Sequence, residues 1–254
     1  VHLEEHSVQE KAKLRIFKAI SIWSQELQKY PGWREWKREN FSYTLNFDDP
    51  EFVQDAASDE FHFPPQLNAE HTLIISYLEL VDTANALSDV EWYFRRYPFS
   101  RAPVTFSSHL QYCCEMYLGR FYQFKERLKN LSKAFKLAVP DQKLNFGKFI
   151  RGFEKEFDVE LRARNSIHHH RAFDDVAIWR VALLQMIDVT DPNPDRKSEY
   201  RSHYRKAATE WASRAKKRSA KLDEFLEAIA SVLLDTCPFL EEKKTTPHSK
   251  INES

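Results

Sequence analysis

From Glu160 to Phe173 the chain reads Glu-Leu-Arg-Ala-Arg-Asn-Ser-Ile-His-His-His-Arg-Ala-Phe, and this is where it concentrates groups able to move protons and hold phosphate. An imidazole with a reference pKa of about 6.5 can give or take a proton near neutral pH, which suits His168, His169 or His170 to general acid or base work. Arg164 can hold a phosphate with two parallel hydrogen bonds and offset charge that develops in a transition state. The plain structural alternative is a charge pair at the end of a helical bundle, because arginine is almost never fully buried without a partner.

The spacing constrains which groups act together. Phe153, Phe157 and Leu161 form an apolar stripe that, followed by the same steps, reaches Arg164 and then His168. His169, five residues on, is rotated by about 140° from Arg164 on an unbroken helix. The two can serve one substrate if the helix bends or ends near Ser166, if the long arginine wraps round, or if two copies meet across a dimer axis. His168 shares the face of Arg164 better and His170 offers a longer spacing, so the choice among the three stays open. A zinc site fits poorly, since consecutive helical side chains diverge by about 100° and three in a row cannot close on one tetrahedral ion. Cys113 and Cys114 diverge likewise, and neither a metal nor another cofactor is expected. Ser166 has no support as a nucleophile beyond its neighbouring histidines.

The elements around this stretch read as scaffold. With 254 residues, 42% of them hydrophobic, the chain can bury a full core. Lys plus Arg equals Asp plus Glu at 38 each, so any attraction for nucleic acid must come from local patches. Four glycines leave no glycine-rich phosphate loop, which excludes the Rossmann and Walker nucleotide-binding classes. Three cysteines indicate no disulfide framework and suit a reducing cytosol. No apolar run approaches the roughly 20 residues that span a bilayer, and no membrane partner is expected. The N-terminus lacks the layout of a signal peptide, and it begins at Val1 rather than Met, as a trimmed or internal piece of a longer chain would.

Apolar residues step by three and four from His6 to Tyr30, and Pro31-Gly32 stops that helix. Residues 41–65 read as a loop-rich connector with a short strand over 41–47, packed down through Phe61 and Phe63. Helical periodicity returns near Asn68 and again from Val90 to Tyr97. Phe106 to Phe135 carries the clearest stripe, a helix about 45 Å long that Pro140 ends. Asp141 is positioned to cap the next helix, which carries the phenylalanine stripe into the Arg164 stretch. Asp174 and Asp175 can cap a short, nearly all-apolar helix whose lack of a polar face predicts central burial. The last helix, about Arg196 to Thr236, is strongly basic in its first half. These patterns predict an all-α, elongated bundle of long antiparallel helices, with residues 1–65 as an N-terminal appendage, 66–240 as the main bundle and 241–254 as a disordered tail.

Arg164-Asn165-x-x-x-His169 in an all-α chain resembles the signature of HEPN domains, a helical nucleotide-binding family found in many RNA-cleaving defence proteins and toxins. The resemblance covers about ten residues. It implies a metal-independent endoribonuclease, acting as a toxin or antiviral defence effector, or else an inactive HEPN-like nucleotide-binding or protein-interaction module. In the active reading His169 moves the proton of a ribose 2′-OH, Arg164 steadies the phosphate, and Asn165 positions the ribose or the imidazole. Two copies of the motif would meet in a shared cleft of a homodimer. RNA is the expected partner, with Arg162, Arg171, Lys216, Lys217 and Lys221 holding its phosphates. An antitoxin or regulatory protein is a further expected partner, and the cytoplasm the expected compartment.

Overall fold

The computed structural model describes residues 10–45, 61–96, 103–169, 173 and 175–241, apart from the side chains at 43, 44, 168 and 169. Every regular element among them is helical: α1 (Ala12–Leu27), α2 (Trp33–Leu45), α3 (Pro65–Arg95), α4 (Phe106–Ala138), α5 (Phe146–Glu156), α6 (Asp158–His169), α7 (Val176–Thr190), α8 (Pro194–Thr236) and a closing 3-10 turn, Pro238–Leu240. The all-α expectation therefore holds. None of these helices is long and apolar enough to cross a membrane.

The chain forms two compact units. The first holds, among the described residues, 10–45, 61–70 and 227–241, so the C-terminal end of α8 belongs with the N-terminal helices, whereas the sequence division at residue 65 places it with the main bundle. A carboxylate at the far end of the chain caps α1: Glu227 accepts hydrogen bonds from the backbone N–H groups of Ala12 and Lys13. Such a cap satisfies donors that have no partner inside the helix. Trp23 donates its indole N–H to Glu70 at 3.0 Å. Tyr30, Trp33, Trp36, Phe61 and Phe63 form an aromatic cluster, so Phe61 and Phe63 at the described end of the connector pack down as expected. Gly32 turns the chain there with φ of 77°, a conformation that favours glycine. The strand expected over 41–47 is instead helix up to Leu45, and residues 46–60 and 242–254 lie outside the described residues.

The second unit, residues 71–226, is organised around α4. Thr105 caps this helix by accepting from the N–H of Ser108. On one side, antiparallel to it, runs the phenylalanine stripe: Phe135 packs on Phe146, Phe124 on Phe153 and Phe121 on Phe157, with ring centroids 4.8–5.0 Å apart. Phe153 and Phe157 are fully buried. The helix expected from Asp141 begins only at Phe146, where burial against α4 starts, and Asn145 at its cap makes no side-chain bond. Packing rather than capping sets that start. The expected single helix also breaks once, at Phe157 (φ −110°, ψ 25°), although Leu161 still bonds back to the Phe157 carbonyl.

Antiparallel α3 meets α4 through Arg127, whose guanidinium donates to the Glu79 carbonyl and to the Thr83 hydroxyl. Helix α8 runs beside α4 through Tyr204 on Phe106 and Trp211 on Tyr117. Asn193 caps it by accepting from the N–H of Asp195, and Pro194 occupies the first helical position, where a missing N–H costs nothing. His109 lies buried among these helices, with the Tyr204 hydroxyl at 3.1 Å, and burial lowers its pKa. Cys113, Cys114 and Cys237 are free and buried, and burial pushes the Cys113 thiol up to about 11 and that of Cys237 to about 12, so none is poised to react.

Helix α7 departs from expectation. Asp175 caps it, accepting from Ala177 and Ile178 as foreseen, while Asp174 lies outside the described residues. Yet only Ile178 and Val181 are buried, and Val176, Trp179, Leu183 and Met186 are exposed. A helix that is apolar all round has more face than α4 alone can cover.

One buried carboxylate joins three helices. Glu160 of α6 is 2% exposed and takes two hydrogen bonds from Arg218 of α8, at 3.1 and 3.0 Å, and one from the Tyr117 hydroxyl of α4 at 3.2 Å. Arg214 stands 3.7 Å away, and Arg218 also reaches Glu156 at 2.9 Å. Burial opposes the charge of Arg218, but the bonds to Glu160 and Glu156 outweigh it and raise its pKa. Breaking a buried pair by removing one partner strands the other, at a cost of about 3–5 kcal/mol. Glu160→Ala should therefore lower stability by about 3 kcal/mol in urea unfolding, the low end because Arg218 keeps Glu156. Replacing both Glu160 and Arg218 by leucine and methionine should recover most of the loss. A cost below about 1 kcal/mol for the single change would equate the pair with an exposed salt bridge.

Candidate active site

Helix α6 starts with Asp158 and Glu160 in its first turn, where carboxylates oppose the positive end of the helix dipole, and Glu160 anchors it from below. Leu161 continues the buried stripe. Three residues on, at Arg164, that stripe leaves the core and enters a groove between α4 and α6 of about 400 Å³, lined by Glu115, Leu118, Gly119, Tyr122, Gln123, Arg164 and Ile167.

Arg164 lies half-buried with its guanidinium carbon 3.7 Å from the centroid of the Tyr122 ring. A planar guanidinium stacked on an aromatic face keeps its hydrogen-bonding edge available. That edge makes one long bond, at 3.4 Å, to the Asn165 side-chain oxygen, and no carboxylate among the described residues pairs with it. Among the described residues, the charge pair of the plain structural alternative is formed one turn earlier, by Glu160. Glu115, across the groove, accepts from Gln111 at 3.0 Å. The floor is open at Gly119, where an added Cβ would meet nothing within 4 Å.

Helix α6 continues unbroken through position 169. Position 168 therefore follows Arg164 by about one turn, while position 169 stays rotated by about 140° from it. The side chains of His168 and His169, and the whole of His170 and Arg171, lie outside the described residues. Asn165 and Ser166 are exposed. Arg162 points to solvent and pairs with Asp158 on its own helix, which leaves it outside the groove lining.

On α8, Lys216 and Lys217 are exposed, and Lys221 pairs with Glu224, whose hydrogen bond raises its pKa. Arg218, one of the basic run, is committed to Glu160 and Glu156. A second groove of about 290 Å³ between α7 and α8 gathers Arg180, His203 and Lys206, with Glu210 on its rim. Sequence reasoning did not single out Tyr122, Glu115 or Gly119. They sit on α4, more than 40 residues from the motif, and their steps along α4 show only that they share a helix face.

Gly119 offers a way to probe the groove without touching the charged groups. Gly119→Ala should raise stability by about 0.5–1 kcal/mol, the helix-propensity gain, because the new methyl meets open space. Gly119→Phe should fill the groove and abolish any activity that depends on Arg164, with the unfolding midpoint of the wild type retained. An unchanged activity would show that nothing enters between α4 and α6. In comparisons with family models, with curated proteins and with solved structures the chain has no match, so its reading rests on the chemistry of this groove.

Proposed function

We propose that this chain is a metal-independent endoribonuclease of the HEPN type, working as a toxin or defence effector. The observation that carries the reading is Arg164: an arginine that ends a buried stripe, stacks on Tyr122 in an open groove and pairs with no described carboxylate. A cation held this way is already oriented before a phosphate arrives, so little freedom is lost when the phosphate binds. In the proposed reaction a histidine takes the proton from a ribose 2′-OH, that oxygen attacks the adjacent phosphorus, and the 5′-oxygen leaves with a proton. The products are a 2′,3′-cyclic phosphate and a 5′-hydroxyl. Arg164 offsets the charge on the phosphoryl oxygens, and His169 is the proposed proton carrier, with His168 and His170 as alternates.

Because α6 runs as helix to position 169, the proposal brings Arg164 and His169 onto one substrate through two copies of the chain sharing a cleft. The homodimer is part of this reading, as are RNA as partner and an antitoxin or regulatory protein that restrains the activity. The rival reading, an inactive HEPN-like module that binds a nucleotide, uses the same stacked arginine without the proton transfer.

Two measurements test the proposal. Purified protein incubated with RNA in excess EDTA should cleave it; His169→Ala should lower the rate by about 10²–10⁴-fold, the usual contribution of a positioned acid or base, and Arg164→Ala by about 10²–10³-fold, the usual loss with one charge-stabilising donor. A wild-type protein as inert as the double variant overturns the enzyme and leaves the binding module. For the basic residues of α8, log affinity for single-stranded RNA should fall with log salt by about 0.7 per phosphate contacted. Replacing Lys216, Lys217 and Lys221 by Gln should lessen that slope and leave the cleavage pattern unaltered. A slope that stays the same assigns the phosphate contacts elsewhere, with the Arg180, His203 and Lys206 groove as the next place to look.

A further inference from the structure

The groove between α4 and α6 holds two more polar groups whose hydrogen-bonding roles are settled by their neighbours. Gln123 accepts from the Arg120 guanidinium at 2.8 Å through its side-chain oxygen. Arginine can only donate, so this bond fixes which end of the amide is which and leaves the N–H groups of Gln123 as donors. Glu115 takes one hydrogen bond, from Gln111, and pairs with no cation among the described residues. An ionised carboxylate accepts at about four positions and never donates. Glu115 and Arg164 line this groove without an ion pair between them. Among the described residues, the groove thus offers a ligand one cation, one acceptor and one donor. The last two stand in a row: Glu115, Gly119 and Gln123 follow one another by four residues on one ridge of α4, about 12 Å from first to last at 1.5 Å per residue. Gly119, midway, has no side chain, and an added Cβ would meet nothing within 4 Å. A flat ring can lie against α4 there, with Glu115 towards one end of its edge and Gln123 towards the other.

We infer that the groove selects guanine, with Glu115 as acceptor and Gln123 as donor to the base while Arg164 takes the phosphate of the nucleotide. The inference rests on the proposed reading of Arg164 as a phosphate holder and adds the base to it. A row that runs from a pure acceptor to a pure donor suits an edge with donors at one end and an acceptor at the other. Guanine presents N1–H and the 2-amino group side by side, which a carboxylate can take with two parallel hydrogen bonds, and its 6-oxo group beside them for the amide. Adenine and cytosine each carry an amino group next to an unprotonated ring nitrogen, so one carboxylate oxygen would face a lone pair. Uracil sets its one N–H between two carbonyls, and the conflict arises on both sides. Glu115 is half-buried and Gln123 exposed. The discrimination is therefore that of partly solvated groups, about tenfold, far below that of a sealed pocket.

The test is calorimetric titration of the full chain, without RNA, with the 5′-monophosphates of guanosine, inosine, adenosine, cytidine and uridine. The inosine compound differs from the guanosine one by the missing 2-amino group alone. Wild-type protein should bind guanosine monophosphate about tenfold more tightly than each of the others. Glu115→Ala should bind the guanosine and inosine compounds equally, because the 2-amino group has lost its acceptor. Gln123→Glu sets a second acceptor against the 6-oxo group and should also lose the guanosine preference. Arg164→Ala should weaken all of them alike. If Glu115→Ala fails to fold by circular dichroism, Glu115→Met, of similar length and without the carboxylate, carries the same comparison. Nucleotides bound alike by the wild type, or a guanosine–inosine gap that persists without Glu115, overturns the inference and leaves Arg164 as a phosphate site. No binding at millimolar concentration also overturns it, and RNA cleavage then decides the ribonuclease separately. A guanosine preference that depends on Glu115, in a chain that cleaves no RNA, keeps the inference and removes the ribonuclease.

Discussion

The carboxylate of Glu160 is the constraint on which the second unit depends. It is removed from water and therefore demands partners, and it takes them from two other helices: Arg218 with two hydrogen bonds, Arg214 close by, and the Tyr117 hydroxyl. A charge buried this deeply contributes little net stability compared with a well-packed apolar side chain, but it penalises any arrangement that leaves it unpaired. Register follows from that penalty. If α6 slid by one turn against α8, Glu160 would lose Arg218, and the stripe of Phe153 and Phe157 would lose its places on Phe124 and Phe121.

Arg164 owes its position to that register. One turn beyond Glu160, the same face of α6 emerges from the core, and the side chain that would have been the next core residue is a guanidinium lying on Tyr122. The two arginine environments are instructive side by side. Arg218 is surrounded by carboxylates and sits over Phe157, and its donors are spent on Glu156 and Glu160. Arg164 is also stacked on a ring, but its edge faces a groove. Both are cation–π pairs, and among the described residues only the first spends its donors on carboxylates.

Two kinds of surface remain on this unit. The groove between α4 and α6 takes polar and apolar lining from both helices, with open space at Gly119. The outer face of α7 carries exposed Val176, Trp179, Leu183 and Met186, with Arg180 beside them. A groove that mixes one cation, one carboxylate and one aromatic ring suits a small charged and planar ligand, such as a nucleotide with its phosphate.

Much of the helical architecture was legible in the sequence because it is encoded locally. Steps of three and four marked α1, α4, the phenylalanine stripe and α8, and Asp175 and Pro140 marked a start and a stop, since a cap or a proline acts on its own few residues. What stayed hidden depended on distant partners. The start of α5 at Phe146 and the pairing of Glu227 with Ala12 are decided by packing across the fold, whereas helix in place of a strand at 41–45 continues α2 with Phe41 and Leu45 exposed. The pattern of α7 announced a helix with no polar face, but whether such a helix lies inside the monomer or on its outside is a question of how much core surface α4 can offer. The Arg164 stretch stood out by composition alone. That Glu160 takes the charge pair and Arg164 meets no carboxylate among the described residues could not be read from residue types, because both outcomes use the same arginines, and only the three-dimensional register of α6 against α4 and α8 chooses between them.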